Sequence, residues 1–270
     1  MTEPNRNAGS APAPSPPAAW RVAVATVTGN FYLVLGSLLL SIVAILVSWI
    51  PPRGNASFLV FRIWANGLLA ASGVRVIRRF DVPLDPRGHY IYLANHQSLF
   101  DIPVLLASSP GQLRMMAKRT LFQVPFFGWS LKAGGFIAID RADKSSARES
   151  FGAAVDQLRS GTSVLLFPEG TRSTTDSLLP FQRGGFLLAL RSGLPIVPVG
   201  VRGSRAVQRR GSFKIHPGTI TVSYGVPIDT AEYGLKRKRE LTALVRREVA
   251  ERAGLAVGDE EPEVPGTEAV

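Results

Sequence analysis

Residues 89–109, "HYIYLANHQSLFDIPVLLASS", decide how this chain folds. A short apolar, β-prone run ("YIYLAN") breaks at Asn95 and His96, and an apolar stretch of helical character ("IPVLLASS") follows. A brief apolar run bounded by turn residues reads as a buried strand, and the run after it as a helix starting near Ser98. The same alternation continues outward. "VRVIRRF", "LRMMAK", "GFIAID", "SVLLFP" and "PIVPVGV" read as strands, with a further β-rich stretch over 213–224. "LFQVPFFGWSLKAG", Lys144–Arg159, Gly184–Arg191 and Arg237–Arg252 read as helices or helical loops. Such alternation predicts an α/β fold with a mostly parallel sheet flanked by helices. In open sheets of this kind the active residues gather just past the carboxyl ends of the strands.

His96, one of three histidines in the chain, is placed there, directly after its strand. On a continuous helix, residues five apart sit about 140° apart and do not meet. In a strand-to-helix turn, however, Asp101 on the first helical turn can fold back to the imidazole of His96. A carboxylate accepting from Nδ1–H leaves Nε2 free as a base, which is the base-plus-orienter half of a catalytic triad. Ser98 reads as a helix cap and no G-x-S-x-G elbow exists, so the hydroxyl to be deprotonated belongs to a substrate. The same spacing also suits a core histidine satisfied by a nearby acid.

A second stretch separates these readings. "VLLFPEGTRS", 164–173, is an apolar strand that ends in Glu169, Gly170, Thr171 and Arg172. Gly170 permits a tight turn whose amides can point at an anion, Arg172 offers a planar fork to phosphate oxygens, and Glu169 can orient that guanidinium or touch a hydroxyl. Two more strand ends deliver Arg141 and Lys118. Three cations and one base at strand ends describe a pocket for a phosphorylated alcohol.

The amino end speaks of a membrane. Residues 1–19 are rich in Ala, Pro, Ser and Asn and carry a disorder-type composition. From Val22 to Pro52 no residue is charged, a run long enough for a membrane helix, with Trp20 and Trp49 near its ends. It is too long for a signal peptide. A second apolar stretch, Ser57–Val74, is broken only by Arg62 and completes a hairpin or lies in the interface. Arginines 53, 62, 75, 78 and 79 outnumber Arg6 and Arg21, which puts the carboxy-terminal side in the cytoplasm. The expected organisation is a disordered 1–19, an anchoring segment 20–74, a catalytic domain 75–253 and an acidic disordered tail 254–270.

Net charge narrows the partners. The chain stands at +11, and setting aside the five acids that follow Gly258 leaves +16 on the remainder. Such a body attracts polyanions, whether nucleic acid, an anionic bilayer or phosphorylated substrates. No helix-turn-helix, zinc or RNP signature supports nucleic acid. The histidines at 89, 96 and 216 are scattered, H-E-x-x-H is missing, and there is no cysteine, so no metal site is expected. Nucleotide-binding glycine fingerprints are missing too, and no cofactor is expected.

Taken together, "NHQSLFD", "GGFIAIDR", "FPEGTRS" and "PIVPVGV", in this order over residues 73–226, resemble the four blocks of the 1-acylglycerol-3-phosphate O-acyltransferase family of glycerolipid acyltransferases. "AKRTLFQVPFFGW" is similar to the family's segment between the first two blocks. The resemblance implies acyl transfer from acyl-CoA or acyl carrier protein to the free hydroxyl of a lysophospholipid at a membrane, giving phosphatidic acid. His96 would be the general base and Asp101 its partner. Glu169, Gly170, Thr171 and Arg172 would hold the acceptor phosphate with Arg141 and Lys118. An acyltransferase of the same family acting on another lysolipid, such as lyso-ornithine lipid, is the alternative. The chain departs from the family in its Pro-rich start, its acidic tail and Thr120, where relatives often carry an acid.

Overall fold

The computed structural model describes residues 17–51, 54–139, 152–155, 158 and 161–258. The strand β2, Ile91–Ala94, lies at the centre of a seven-stranded sheet, and its four residues are all buried. Around it stand β1 (Val74–Phe80), β3 (Leu113–Lys118), β4 (Ile137–Ile139), β5 (Ser163–Leu166), β7 (Ile196–Arg202) and β8 (Gly218–Tyr224), in the order β1-β8-β7-β2-β5-β3-β4. Every pairing is parallel except β7 with β8. Strands β2, β3, β4, β5 and β7 therefore share one direction and finish on one edge. Central parallel strands are covered on both faces, which explains their unbroken apolar runs. Pro198 cannot donate to a ladder, and β8 pairs with β7 only from Val199 onward.

Helices cover both faces. On one lie α1 (Ala19–Val47), α2 (Asn55–Ala71), α3 (Asp101–Ser108) and α4 (Phe127–Ala133). On the other lie α5 (Arg183–Ser192) and α7 (Lys238–Ala253), whose Leu241, Val245 and Val249 are buried against Ile91, Leu93 and Ile196. Gly200 on β7 permits this approach, since a Cβ there would stand 2.4 Å from the main chain of Arg252. A one-turn helix α6 (Ser204–Val207) follows β7.

Four expectations change. The helix after β2 starts at Asp101 rather than Ser98, because the carboxylate of Asp101 takes the amides of Gln97 and Ser98 before helical bonding begins. The β-rich stretch 213–224 is a strand only from Gly218. Before it, Ile215 donates its N–H to Thr26 on α1, and Pro217 has no N–H to donate. The tail expected to be disordered from residue 254 begins as structure. Ala256–Val257 (β9) pairs with Ser177–Leu178 (β6) in a two-stranded sheet, a pairing too short to show periodicity. Finally, α1 starts three residues ahead of the uncharged run, taking in Trp20 and Arg21. Of the helix expected over Lys144–Arg159, residues 152–155 are helical and most of the remainder lies outside the described residues, as do residues 1–16 and 259–270.

Candidate active site

The β2–α3 turn brings His96 and Asp101 together. His96 Nδ1 stands 2.8 Å from Asp101 Oδ2, and the amides of Gln97 and Ser98 donate to the same oxygen at 2.8 Å each. Three donors converging on one atom fix the carboxylate and place the ring proton on Nδ1. Nε2 is then the nitrogen available to the cavity that His96 lines. Asp101 is fully buried while the imidazole is 14% exposed, so the base meets solvent and its orienter does not. The ring also stacks on Phe167, with centroids 4.0 Å apart and planes 16° apart. Ser98 accepts from Phe100 N–H and donates to Gln208 O, so its hydroxyl is committed to the backbone.

The turn after β5 is tied to the His96 turn. Glu169 is buried and accepts the His96 amide at 2.6 Å with one oxygen and the Leu179 amide at 2.9 Å with the other. Burial pushes its carboxyl up to about 7, although those two hydrogen bonds and the nearby Arg246 pull it downward. Its oxygens thus join three pieces of backbone instead of orienting the Arg172 guanidinium. Ser173 N–H donates to His96 O at 2.7 Å and closes the link from the other side. Gly170 adopts φ 76°, in the left-handed region, and its N–H is spent on Phe167 O at 3.0 Å and is not offered to an anion.

These turns enclose a cavity of about 550 Å³. His96, Lys118, Gly170, Thr171 and Arg172 form its polar part. Ile102, Met115, Leu131, Phe136 and Phe167 line the apolar part. Lys118 is exposed at the end of β3 and Arg172 is half-buried. Arg141 lies outside the described residues. The lining thus combines an imidazole and two cationic side chains with apolar groups, a mixture suited to a ligand with both an anionic and a hydrocarbon part.

Comparison with known proteins agrees with this arrangement. The acyltransferase family model matches residues 73–202. The 1-acyl-sn-glycerol-3-phosphate acyltransferase of Salmonella typhimurium is 30% identical over 223 residues, covering 81% of this chain and 90% of the relative. That of Escherichia coli is 30% identical over 231 residues, covering 81% of this chain and 94% of its own length. The chain belongs to the 1-acyl-sn-glycerol-3-phosphate acyltransferase family. It is an acyltransferase. In fold it is similar to the crystal structure of the acyltransferase PlsC from Thermotoga maritima, with a TM-score of 0.74 at 23% identity over 87% of this chain and 95% of that one.

Some residues that shape this acyltransferase's site escaped the sequence reading. Asn95 donates from Nδ2 to Val201 O at 2.9 Å and accepts the Val201 amide at 2.7 Å, pinning the end of β2 to β7. Its signal was present, a polar residue closing a buried strand beside the base. Arg246, buried on α7, donates to Gly258 O at 2.9 Å and faces Glu169 electrostatically. Arg210 donates to Arg172 O at 3.1 Å. Buried Arg246 does not differ in the sequence from exposed Arg247 beside it, and Arg210 is as exposed as Arg209, so only the folded structure singles them out.

Proposed function

We propose that this enzyme transfers a fatty acyl group from a thioester, acyl-CoA or acyl carrier protein, to the free hydroxyl of 1-acylglycerol-3-phosphate, giving phosphatidic acid. The observation that carries the reading is the His96–Asp101 pair, 2.8 Å apart, on a cavity whose lining includes Lys118 and Arg172 together with many apolar side chains. The relatives, 1-acyl-sn-glycerol-3-phosphate acyltransferases by name, support the same acceptor.

His96 Nε2 takes the proton of the acceptor hydroxyl as its oxygen attacks the thioester carbonyl. Asp101, held by three N–H donors, steadies the imidazolium that forms. Collapse of the tetrahedral intermediate breaks the C–S bond, leaves the new C–O ester, and the departing thiolate takes the proton back from His96. General-base catalysis of this kind contributes about 10²- to 10⁴-fold. Arg172 and Lys118 receive the acceptor phosphate, the arginine through two parallel hydrogen bonds. Arg141 is assigned to the same phosphate on its place after β4 in the sequence. Glu169, Gly170 and Thr171 act by shaping the turn that presents Arg172.

The enzyme works on the cytoplasmic face of a membrane, held by α1. Of this helix's apolar residues, Val27, Phe31, Val34, Leu39 and Leu46 are exposed. Its length of 29 residues corresponds to about 43 Å. Yet it is fastened alongside the domain, by Thr26 to Ile215, by Asn30 to Phe213 O, and by Ser41 to Ser130. Fifteen residues between Thr26 and Ser41, about 22 Å of helix, thus run against protein. A helix so fastened lies half in the leaflet, since a full crossing of about 30 Å would drag the catalytic domain into the hydrocarbon. The test is an acceptor panel, including lysophosphatidate and lyso-ornithine lipid, offered with both donor types to purified protein in detergent. Acyl transfer to lysophosphatidate identified by product mass is expected. Exclusive acylation of a lipid without phosphate would overturn the acceptor assignment.

A further inference from the structure

Among the described residues, the segment between β3 and β4 leaves Val124, Phe126 and Trp129 exposed. After β3 the chain makes a short 3-10 turn, Arg119–Gln123, then Val124–Pro125–Phe126, then α4. Among the described residues Phe126 is the non-glycine residue with positive φ, at 60° with ψ −56°. The Phe127 amide donates to Pro125 O at 2.6 Å, closing a three-residue γ-turn of the rare, strained hand around Phe126. That conformation is strained for a residue with a side chain. It turns a phenylalanine outward, where it is 40% exposed and packs edgewise on Trp129, itself 55% exposed, with ring centroids 5.2 Å apart. Val124 is exposed beside them. A water-facing surface gains nothing from strain that displays two aromatic rings.

Two further observations say what covers the patch. The same segment turns its other side chains inward, since Leu121, Phe127 and Leu131 line the active cavity. Also, α4 joins α1 directly through Ser130 Oγ and Ser41 Oγ at 3.2 Å, so the patch stands on an element packed against that helix, whose own outer apolar residues are exposed. We propose that Val124, Phe126 and Trp129 form a second membrane contact, made by the catalytic domain itself, through which the acyl chain of the acceptor passes from the leaflet into the cavity. The occupant is the lipid bilayer. This rests on the membrane reading of α1 and adds a route for the substrate. Aromatic rings at headgroup depth suit that place, being apolar in body and tolerant of water at their edge.

Phe126→Gly removes the ring and relieves the φ strain, whereas Trp129→Ser leaves the turn alone; neither residue lines the cavity. Both variants should co-float with vesicles of phosphatidylcholine and phosphatidylglycerol as the parent enzyme does, because α1 holds them. The KM of each for long-chain lysophosphatidate within those vesicles should rise about tenfold, the expected loss for one half-buried aromatic anchor. kcat/KM for a water-soluble short-chain lysophosphatidate should stay within about twofold. Trp129, left as the lone tryptophan after Trp20, Trp49 and Trp64 are replaced by Phe, should be quenched by brominated acyl chains. An unchanged KM in vesicles overturns the proposal, and so does an equal loss with both acceptors, which marks a mere support for the cavity wall. Failure of the parent enzyme itself to float with vesicles defeats instead the membrane reading of α1.

Discussion

The two turns that build the site are held in opposite ways. The β2–α3 turn is almost self-sufficient, since His96, Asp101 and the two amides that fix the carboxylate lie within six residues. The turn after β5 has little internal support. It is held by the amides of His96 and Leu179 on Glu169, by Ser173 on His96 O, by Arg210 on Arg172 O and by Arg246 beside Glu169. The first turn owes its geometry to bonds between near neighbours in the chain, whereas the fold supplies the rigidity of the second from a distance.

Breaking the local turn should cost the most. His96→Ala should lower kcat by about 10²- to 10⁴-fold or more while the thermal unfolding midpoint moves little, because the ring is neither deep in the core nor a cap. Asp101→Asn should approach the same loss, since an amide cannot accept the Nδ1 proton and both main-chain amides equally well. Near-normal turnover of folded His96→Ala would sink the mechanism.

Next comes the charge on the supported turn. Arg172→Lys keeps the cation and loses the fork, so kcat/KM for lysophosphatidate should fall about ten- to a hundred-fold, with donor KM little changed. Kinetics indistinguishable from the parent would remove Arg172 from the phosphate site.

Breaking the strut between the turns should be milder in activity and visible in pH. Glu169→Gln can accept one amide but presents its own N–H₂ to the other, and a loss of about tenfold is expected. Burial raises the native carboxyl to about 7, above its value in the unfolded chain. A raised group stabilises the fold fully below its unfolded pKa and loses that contribution as pH climbs through about 7. Denaturant unfolding of both proteins should therefore show the parent gaining roughly 2–3 kcal/mol on Glu169→Gln between pH 8 and pH 5. A pH-independent difference would mean that Glu169 ionises normally.

The smallest effect belongs to the outermost support. Ala256→Pro deletes the N–H that donates to Asp176 O at 3.2 Å and unpairs β9 from β6. About 1 kcal/mol of stability and no more than a few-fold in activity should go, measurable by unfolding midpoint and initial rate.

How far each turn could be read from residues follows the same contrast. Strand β2, the turn and the His96–Asp101 contact were legible because their determinants are neighbours in sequence. An apolar run, a break and a carboxylate at the right offset leave few geometries. The place of Glu169 was legible but its task was not. A carboxylate beside an arginine invites pairing, and only the approach of the Leu179 and His96 amides shows that its oxygens are engaged. The irregular 213–217 and the strand β9 were missed because each is decided by a distant hydrogen bond that competes with local preference. The start of α3 was misplaced for a local reason, since the Asp101 carboxylate takes the Gln97 and Ser98 amides in place of helical bonding.

By itself the sequence determined the α/β class with its mostly parallel sheet, the order of the main strands and helices, the apolar amino-terminal helix, the His96–Asp101 contact, and the family. Those properties rest on periodicity and on spacings of a few residues, which short-range sterics and burial enforce wherever they occur. Tertiary structure alone decided that β8 meets β7 antiparallel, that Asn95 pins two strands, that Arg246 and Glu169 stand face to face, and that Phe126 is turned outward next to the cavity. Each of these joins groups far apart in the chain or sets a backbone against its own preference. Such arrangements persist only because many other contacts over-determine them.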